Sequence, residues 1–160
     1  MPIVLAGEDG SYVEPHKTAS ARLVILSGEL DPDEISGLVG LSPDRSAMRG
    51  DQMRGPRRYP YHSWQLESGL SETANPEDHL DALLERLAPA ASAIGTLVVH
   101  PQIHSVRVWL GLHIDNANPG LSLSDSHIRR LALIGTGVEI DVYVDGEVEP
   151  ALTAGDITER

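Results

Sequence analysis

The chain contains no cysteine and no phenylalanine among its 160 residues. The missing cysteines exclude disulfide bonds, thiolate metal sites and cysteine nucleophiles. Aromatic residues make up only 4% of the chain, whereas hydrophobic residues make up 41%. Because a chain of this length can bury roughly 70% of its unfolded surface, we expect one domain whose core is aliphatic.

Basic residues are also scarce: twelve of them, eleven being Arg, stand against 24 acidic residues, for a formal net charge of −12. The imbalance is concentrated in residues 61–160, which carry fifteen acids and five bases. Nucleic-acid affinity comes largely from Lys and Arg that displace counterions, so this composition disfavours direct binding of DNA or RNA. It favours a basic protein partner, although the same acidity also serves solubility alone.

Long apolar runs are absent as well. No stretch approaches the ~18 apolar residues of a membrane span, and the opening MPIVLAGEDG lacks the basic segment of a secretory signal. We therefore expect no membrane association and a cytoplasmic location. The chain has no P-loop, dinucleotide fingerprint, HExxH or GxSxG motif, so it predicts no cofactor, no metal site and no catalytic residue.

The clearest local signals lie in residues 21–51, ARLVILSGELDPDEISGLVGLSPDRSAMRGD. Residues 21–27 form an apolar run that is typical of a central strand. Asp31 then caps a helix and forms an Asp-led capping box with Glu34, and Gly40 ends that helix in the left-handed conformation. We expect the apolar face of the helix to consist of Ile35, Leu38 and Val39.

Residues 42–60 form the longest polar connection, and they hold five of the twelve basic residues against two acidic ones. A connection of this length without regular structure is usually functional or disordered. Its guanidinium groups would suit a phosphate, a carboxylate or an acidic partner; alternatively, they fold back on the protein's own acidic helices or stay solvated. We expect Asp51 to close a turn after Gly50. The candidate binding residues of this Arg-rich loop are Arg45, Arg49, Asp51, Arg54, Arg57 and Arg58.

Apolar periodicity predicts the remaining elements. In chain order they are a strand over 61–68, a helix opening at Pro76, a helical piece over 90–99, a strand over 104–114, a turn over 116–120, a helix capped by Ser124 and a strand over 138–144. For the last helix we expect an inner face of Ile128, Leu131 and Ala132, with Leu123 and Ile128 spaced as a hydrophobic staple.

The last two predicted strands alternate strictly, so one face of each is expected to be buried, which favours an α+β protein over a doubly wound parallel sheet. We predict a four-stranded, mostly antiparallel, ferredoxin-like sheet built from two β-α-β units with an extra helical segment between them. Residues 1–18 are predicted as an N-terminal arm in which residues 3–5 add an edge strand. Residues 19–145 are predicted as a single α+β domain, and residues 146–160 as an acidic C-terminal tail.

Several segments together resemble a known family. They are the stretch 21–51 quoted above, HSWQLES around Trp64, HLDALLERLAP and LSLSDSHIRRLALIGTGVEIDVYV. In this order, over about residues 20–145, they resemble the bacterial domain of unknown function 4279. The resemblance implies a small cytoplasmic α+β domain, and some members of that family are suspected to lie near toxin–immunity loci. It carries over no catalytic residue, but Gly50, Asp51 and Trp64 match positions at which members look alike, and Trp64 is therefore a further candidate binding residue.

Polar and aromatic side chains alternate with the aliphatic ones on the last two strands. Those predicted to project opposite the aliphatic core are Arg107, Trp109, His113, Asp141 and Tyr143. This composition suits an anchor for a protein partner. Alternatively, the long middle helix covers this face and Trp109 belongs to the core.

Three functions follow as hypotheses. The leading one is a non-enzymatic, immunity-like module that binds a basic partner protein. The second is a small-molecule or anion-binding, or hydrolytic, protein that uses the Arg-rich loop with His62 or His113 and has a pocket joining that loop to the sheet. The third is a homodimer joined through the open face of the sheet.

Overall fold

The computed structural model of the chain describes residues 17–115 and 121–145. It contains five strands and four α-helices, with a short 3-10 segment between the second and third helices. Their bounds, in chain order, are β1 Lys17–Ser27, α1 Pro32–Val39, β2 Arg45–Ala47, β3 His62–Glu67, α2 Pro76–Leu87, the 3-10 segment Ala88–Ala90, α3 Ala91–Val98, β4 Ile103–Asp115, α4 Asp125–Ile134 and β5 Gly137–Asp145.

The strands form one mixed sheet in the order β2-β3-β1-β4-β5. Strand β1 is central and pairs antiparallel with both β3 and β4. Strand β2 pairs antiparallel with β3, whereas β4 and β5 are parallel and are joined through α4. The α+β class and the mostly antiparallel pairing agree with the prediction. The predicted number of four strands is wrong, because the Arg-rich loop contributes β2, and only the second predicted unit pairs its two strands in parallel.

All the helices of the described chain that pack on the sheet do so on one face. The alternation within β1 explains this arrangement, because Leu23 and Ile25 are fully buried while Arg22 and Val24 point to the other face and are half-buried. The buried leucines of α2, such as Leu83, join the same core cluster as the β1 residues. The middle helix therefore does not cover the face that carries Trp109.

Helix α1 begins and ends where the sequence predicts. The Asp31 side chain accepts from the backbone N–H groups of Asp33 and Glu34, each at 2.9 Å, and the Glu34 carboxylate accepts from the Asp31 N–H at 2.9 Å. Gly40 adopts φ 76°, which favours glycine at the end of a helix. The predicted apolar face needs one correction, because Leu38 is 50% exposed at the margin of the helix–sheet contact.

Helix α4 is capped by Ser124 as predicted, but its predicted inner face is wrong in part. Its buried residues are His127, Leu131 and Ile134, whereas Ile128 is 55% exposed and cannot form the staple with Leu123. The reason lies in the cap. The His127 imidazole accepts from the Ser124 N–H at 3.2 Å through Nδ1 and binds Asp81 on α2 through Nε2 at 3.0 Å. The inward face of α4 therefore includes His127, a polar residue that the apolar pattern does not select.

Strand β5 lies at the edge of the sheet, and its helix-side face is only partly covered. Val138 packs against the core, but Ile140, Val142 and Val144 are exposed. Helix α4 packs against α2 and α3 rather than along this strand. The predicted buried face is thus confirmed for β4 and wrong for most of β5, within the described part of the chain.

Strand β1 starts at Lys17, two residues before the predicted start of the domain. The predicted edge strand of residues 3–5, the turn over 116–120 and the acidic tail over 146–160 lie outside the described residues. Among residues 17–115 and 121–145, no helix is both long and apolar enough to cross a membrane.

Candidate functional site

A row of interacting side chains crosses the helix-free face, with one residue from each strand of the sheet. At one end, Arg45 of β2 places its Nε 2.8 Å from Glu67 Oε1 of β3. In the centre, the Arg22 guanidinium of β1 lies 4.0 Å from the centroid of the Trp109 ring of β4. At the other end, Trp109 donates from Nε1 to Asp141 Oδ2 of β5 at 2.7 Å. Cationic, anionic and aromatic groups therefore follow one another across all five strands.

The position of the Trp109 ring depends on a glycine two residues further along β4. A Cβ atom on Gly111 would lie 2.6 Å from Cζ3 of the indole, and the Ser20 hydroxyl is 3.1 Å from the same point. Only a residue without a side chain therefore leaves room for the ring above the strand. The ring is half-buried in this position.

Arg22 is charged but has few partners. Its Nε is buried and has no hydrogen-bond acceptor among the residues that the structure describes. Burial lowers the pKa of Arg22, while the nearby Glu67 and Asp141 carboxylates raise it and the Arg45 guanidinium lowers it. Since an arginine remains protonated at neutral pH, Arg22 is a half-buried cation whose main contact is the face of an indole.

A cavity of about 420 Å³ opens beside Arg22, between the sheet and the segment that follows β3. That segment continues the pairing of β3 along β1, because Ser68 N donates to Ala21 O at 2.9 Å and Ala19 N donates to Glu72 O at 2.7 Å. We call this space the Arg22 cavity. The charged or titratable side chains that line it are Arg22, Arg45, Glu67, Glu72 and His79.

A smaller groove of about 160 Å³ adjoins the Arg22 cavity on the β4 side. The His113 and Tyr143 rings stack across it, with centroids 5.8 Å apart and an interplanar angle of 28°, and Trp109 lies in its wall. We call this space, which His113, Tyr143 and Trp109 line, the aromatic groove. Tyr143 is 53% exposed, and Arg107 is exposed on the same face. The sequence-predicted members of this face therefore lie on the same side of the sheet.

The Arg-rich loop is more regular than predicted. After β2 it forms a small hairpin in which Gly50 N donates to Tyr59 O at 2.8 Å and Met53 N donates to Arg57 O at 2.9 Å. Asp51 closes the turn as predicted, because its carboxylate accepts from Met48 N at 2.8 Å. Gly50 has φ 91°, which favours glycine at this turn.

The five arginines of the loop do not converge. Arg45 pairs with Glu67, Arg58 donates to Gly50 O at 2.7 Å and Arg49 donates to Gly28 O at 3.5 Å. Arg54 and Arg57 are exposed near the tip of the hairpin, and their side chains make no hydrogen bond or ion pair to other described residues. The loop arginines thus bind a strand glutamate, backbone carbonyls or solvent, and only Arg45 reaches a cavity.

Trp64 is a correction among the predicted site residues. It is fully buried in the core, and its Nε1 donates to Ser36 Oγ of α1 at 3.0 Å. Its role is to join β3 to α1, so it is not available to a partner. His62 accepts from Arg49 N through Nδ1 at 3.2 Å and lies at the opposite end of β1 from His113, because their partners on β1 are Ser27 and Thr18. Neither histidine lines the Arg22 cavity, to which Arg45 alone of the loop arginines contributes, so a pocket that joins the loop to the sheet through a histidine stays a prediction.

Sequence reasoning missed His79, which lines the Arg22 cavity from α2. Its Nε2 lies 3.1 Å from Ser71 O, and its Nδ1 lies 2.6 Å from Ser68 Oγ. A carbonyl only accepts, so Nε2 carries the proton and the Ser68 hydroxyl donates to Nδ1. Burial lowers the pKa of His79, with Ser71 and Asp78 acting in the opposite direction. The pair holds the segment after β3 against α2, and no local motif signals it.

Comparison with known proteins assigns the family. The model of the family described as domain of unknown function (DUF4279) matches residues 16–145. The chain belongs to this family. No curated protein and no solved structure matches it. The matched range starts one residue before β1 and ends with β5, so every DUF4279 element described above lies inside it. In the described part of this DUF4279 chain, no group of three or more His, Cys, Asp or Glu residues could hold a metal ion.

Proposed function

We propose that this chain is a non-enzymatic, immunity-like module that binds a basic partner protein in the cytoplasm. The observation that carries the proposal is the one-sided packing of the helices, so that among residues 17–115 and 121–145 no helix covers the aromatic groove on the other face of the sheet. Tyrosine and tryptophan side chains of this kind are the usual anchors of protein interfaces, because they bury large areas at low entropic cost.

Charge supports the choice of a basic partner. The formal net charge is −12, and carboxylates surround the aromatic groove on neighbouring strands and on the segment after β3. These acidic neighbours are Glu72, Glu139 and Asp141. A basic protein would be attracted over distances of about a Debye length, roughly 8–10 Å at physiological salt.

The proposal is tested by co-expressing the tagged chain with the products of the genes beside its own. We expect a basic partner to co-purify with the wild type and to be lost with Tyr143→Ala, because truncating an anchor residue typically costs 2 kcal/mol or more of binding free energy. The matched control is Leu133→Ala, which alters a residue that is 76% exposed on α4, on the helix side.

Two outcomes would contradict the proposal. One is recovery of the same partner with wild type and Tyr143→Ala, which would place the interface elsewhere. The other is the absence of any basic partner together with self-association of the purified chain through the open face, measured by light scattering, which would favour the homodimer.

A further inference from the structure

The Arg22 cavity contains a cation, Arg22, that forms no ion pair with any other described residue. Arg45 and Glu67 already satisfy each other through their 2.8 Å ion pair. Arg22 and Glu72 are left over: neither makes an ion pair within the described chain, and the Glu72 side chain is exposed. The cavity therefore presents one unpaired cation and one unpaired anion to whatever enters it.

The unpaired cation is held in place rather than free to search for a partner. Arg22 stacks on Trp109 at 4.0 Å, and Trp109 is itself fixed by its 2.7 Å bond to Asp141 and by the space above Gly111. A carboxylate bound in the cavity would supply acceptors to this preorganised guanidinium without reorganising the sheet.

The carboxylates of the cavity restrict the class of ligand. A plain anion would meet both Glu67 and Glu72, and a phosphate dianion would be repelled more strongly. A molecule that also carries an ammonium group would instead pair with Glu72. We propose that the Arg22 cavity binds a small zwitterion, with its carboxylate on Arg22 and its ammonium group on Glu72.

The spacing of the two residues indicates a ligand with separated charges. Glu72 is attached to the strand through the bond from Ala19 N, and Ala19 lies three residues before Arg22, which is about 10 Å along β1. This favours ω-amino acids, whose charges are several carbons apart, over α-amino acids. The inference does not depend on the proposed protein partner, because it concerns a different cavity and a different ligand.

Isothermal titration of the purified chain with glycine, γ-aminobutyrate and ε-aminocaproate tests the inference, with caproate and hexylamine as single-charge controls at constant ionic strength. We expect ε-aminocaproate to bind at least about tenfold more tightly than either single-charge control, since a partly desolvated ion pair contributes about 1.4 kcal/mol. We expect glycine to bind most weakly of the three zwitterions. Absence of binding by every zwitterion, or equal affinity for ε-aminocaproate and caproate, overturns the inference.

Variants assign the two contacts. Arg22→Gln should abolish binding, and Arg22→Lys should weaken it several-fold, because the charge stays but the fork of donors is lost. Glu72→Gln should remove the preference for ε-aminocaproate over caproate, and caproate itself should bind no more weakly than to the wild type because a repelling carboxylate is gone. The matched control Arg54→Gln removes an exposed arginine that lies outside the cavity, and it should bind as the wild type does. Unchanged affinity in folded Arg22→Lys and Glu72→Gln, with folding verified by thermal melting, would also overturn the inference.

Discussion

At the scale of single residues, the helix-free face is organised around Trp109. The indole stacks on Arg22, occupies the space that a side chain at position 111 would fill, and donates a hydrogen bond to Asp141. It lines the aromatic groove and stacks on Arg22, which lines the Arg22 cavity. A single aromatic side chain thus supports both proposed binding sites, so its position can be tested apart from any ligand.

Gly111→Ala should displace the Trp109 ring, because the added Cβ would overlap the indole. We expect tryptophan fluorescence to shift to the red as the ring becomes more exposed, and stability to fall by about 1–3 kcal/mol from the overpacking. The control is Gly37→Ala in α1, where a Cβ meets nothing within 4 Å; it should leave the spectrum unchanged and stabilise the helix by up to about 1 kcal/mol. An unshifted spectrum in Gly111→Ala would show that the ring does not depend on this glycine.

We expect the protein to lose stability on mild acidification because of His79. Burial lowers its folded-state pKa, so near pH 6.5 the unfolded chain takes up a proton that the folded chain does not. The contribution of neutral His79 to the free energy of unfolding is fully present above about pH 6.5. Below that pH it is lost, at up to about 1.4 kcal/mol per pH unit, until the folded-state pKa is reached.

Urea unfolding of the wild type and of His79→Gln between about pH 7.5 and about pH 5 measures this contribution. We expect the variant to be less stable at the upper pH by about 1–3 kcal/mol, since Ser68 and Ser71 lose a buried partner, and to show a shallower decline with acidification. Asp44, whose pKa is lowered chiefly by its hydrogen bond with Arg86, titrates in a lower window, below its ordinary value of 3.8. If the stability of the wild type and that of His79→Gln declined in parallel with pH, the loss on acidification would not come from His79.

At the scale of elements, local signals predicted which segments form helices and where they begin, but not which way each helix faces. The caps Asp31 and Ser124 act within one turn, so the chain itself encodes them. The exposure of Leu38 and Ile128, by contrast, depends on the neighbouring element. The hydrogen bond from His127 to Asp81 on α2 sets the face of α4, and no pattern within α4 contains Asp81.

The capping box of α1 should make a measurable contribution to stability. Asp31→Ala removes the acceptor of two backbone N–H groups, and we expect a loss of about 1 kcal/mol in the free energy of unfolding, within a range of roughly 0.5–2 kcal/mol. Asp33→Ala provides the comparison, because the Asp33 side chain is in the same helical turn but accepts no capping bond. Its expected loss is confined to the helix-dipole contribution, about 0.3–1 kcal/mol. A larger loss for Asp33→Ala than for Asp31→Ala would refute the role of the cap.

The sheet and its site show the same limit of local prediction. Strand β2 has only three residues, too few for an apolar periodicity, and it exists because it pairs with β3. Alternation on β4 and β5 was enough to predict which of their side chains lie on the helix-free face, from Arg107 and Trp109 to Tyr143. Arg22 carried a signal, as the one charged residue in the apolar run 21–27, but its neighbours Trp109 and Glu67 come from other strands. His79 meets Ser68 only after the chain has folded.

At the scale of the whole molecule, the acidic charge and the one-sided packing act together. The charge would attract a basic protein from a distance, and the aromatic groove would determine how long it stays bound. Rising salt should therefore slow association with little effect on dissociation, whereas Tyr143→Ala should mainly accelerate dissociation.

The most direct test is the dissociation constant of the partner recovered by co-expression, measured for wild type, Tyr143→Ala and Leu133→Ala at low and at physiological salt. We expect Tyr143→Ala to weaken binding by about 30-fold or more, equivalent to about 2 kcal/mol. Leu133→Ala should change binding by less than about threefold, and wild-type binding should weaken as salt rises. Equal dissociation constants for wild type and Tyr143→Ala would contradict the claim that the helix-free face is the binding surface.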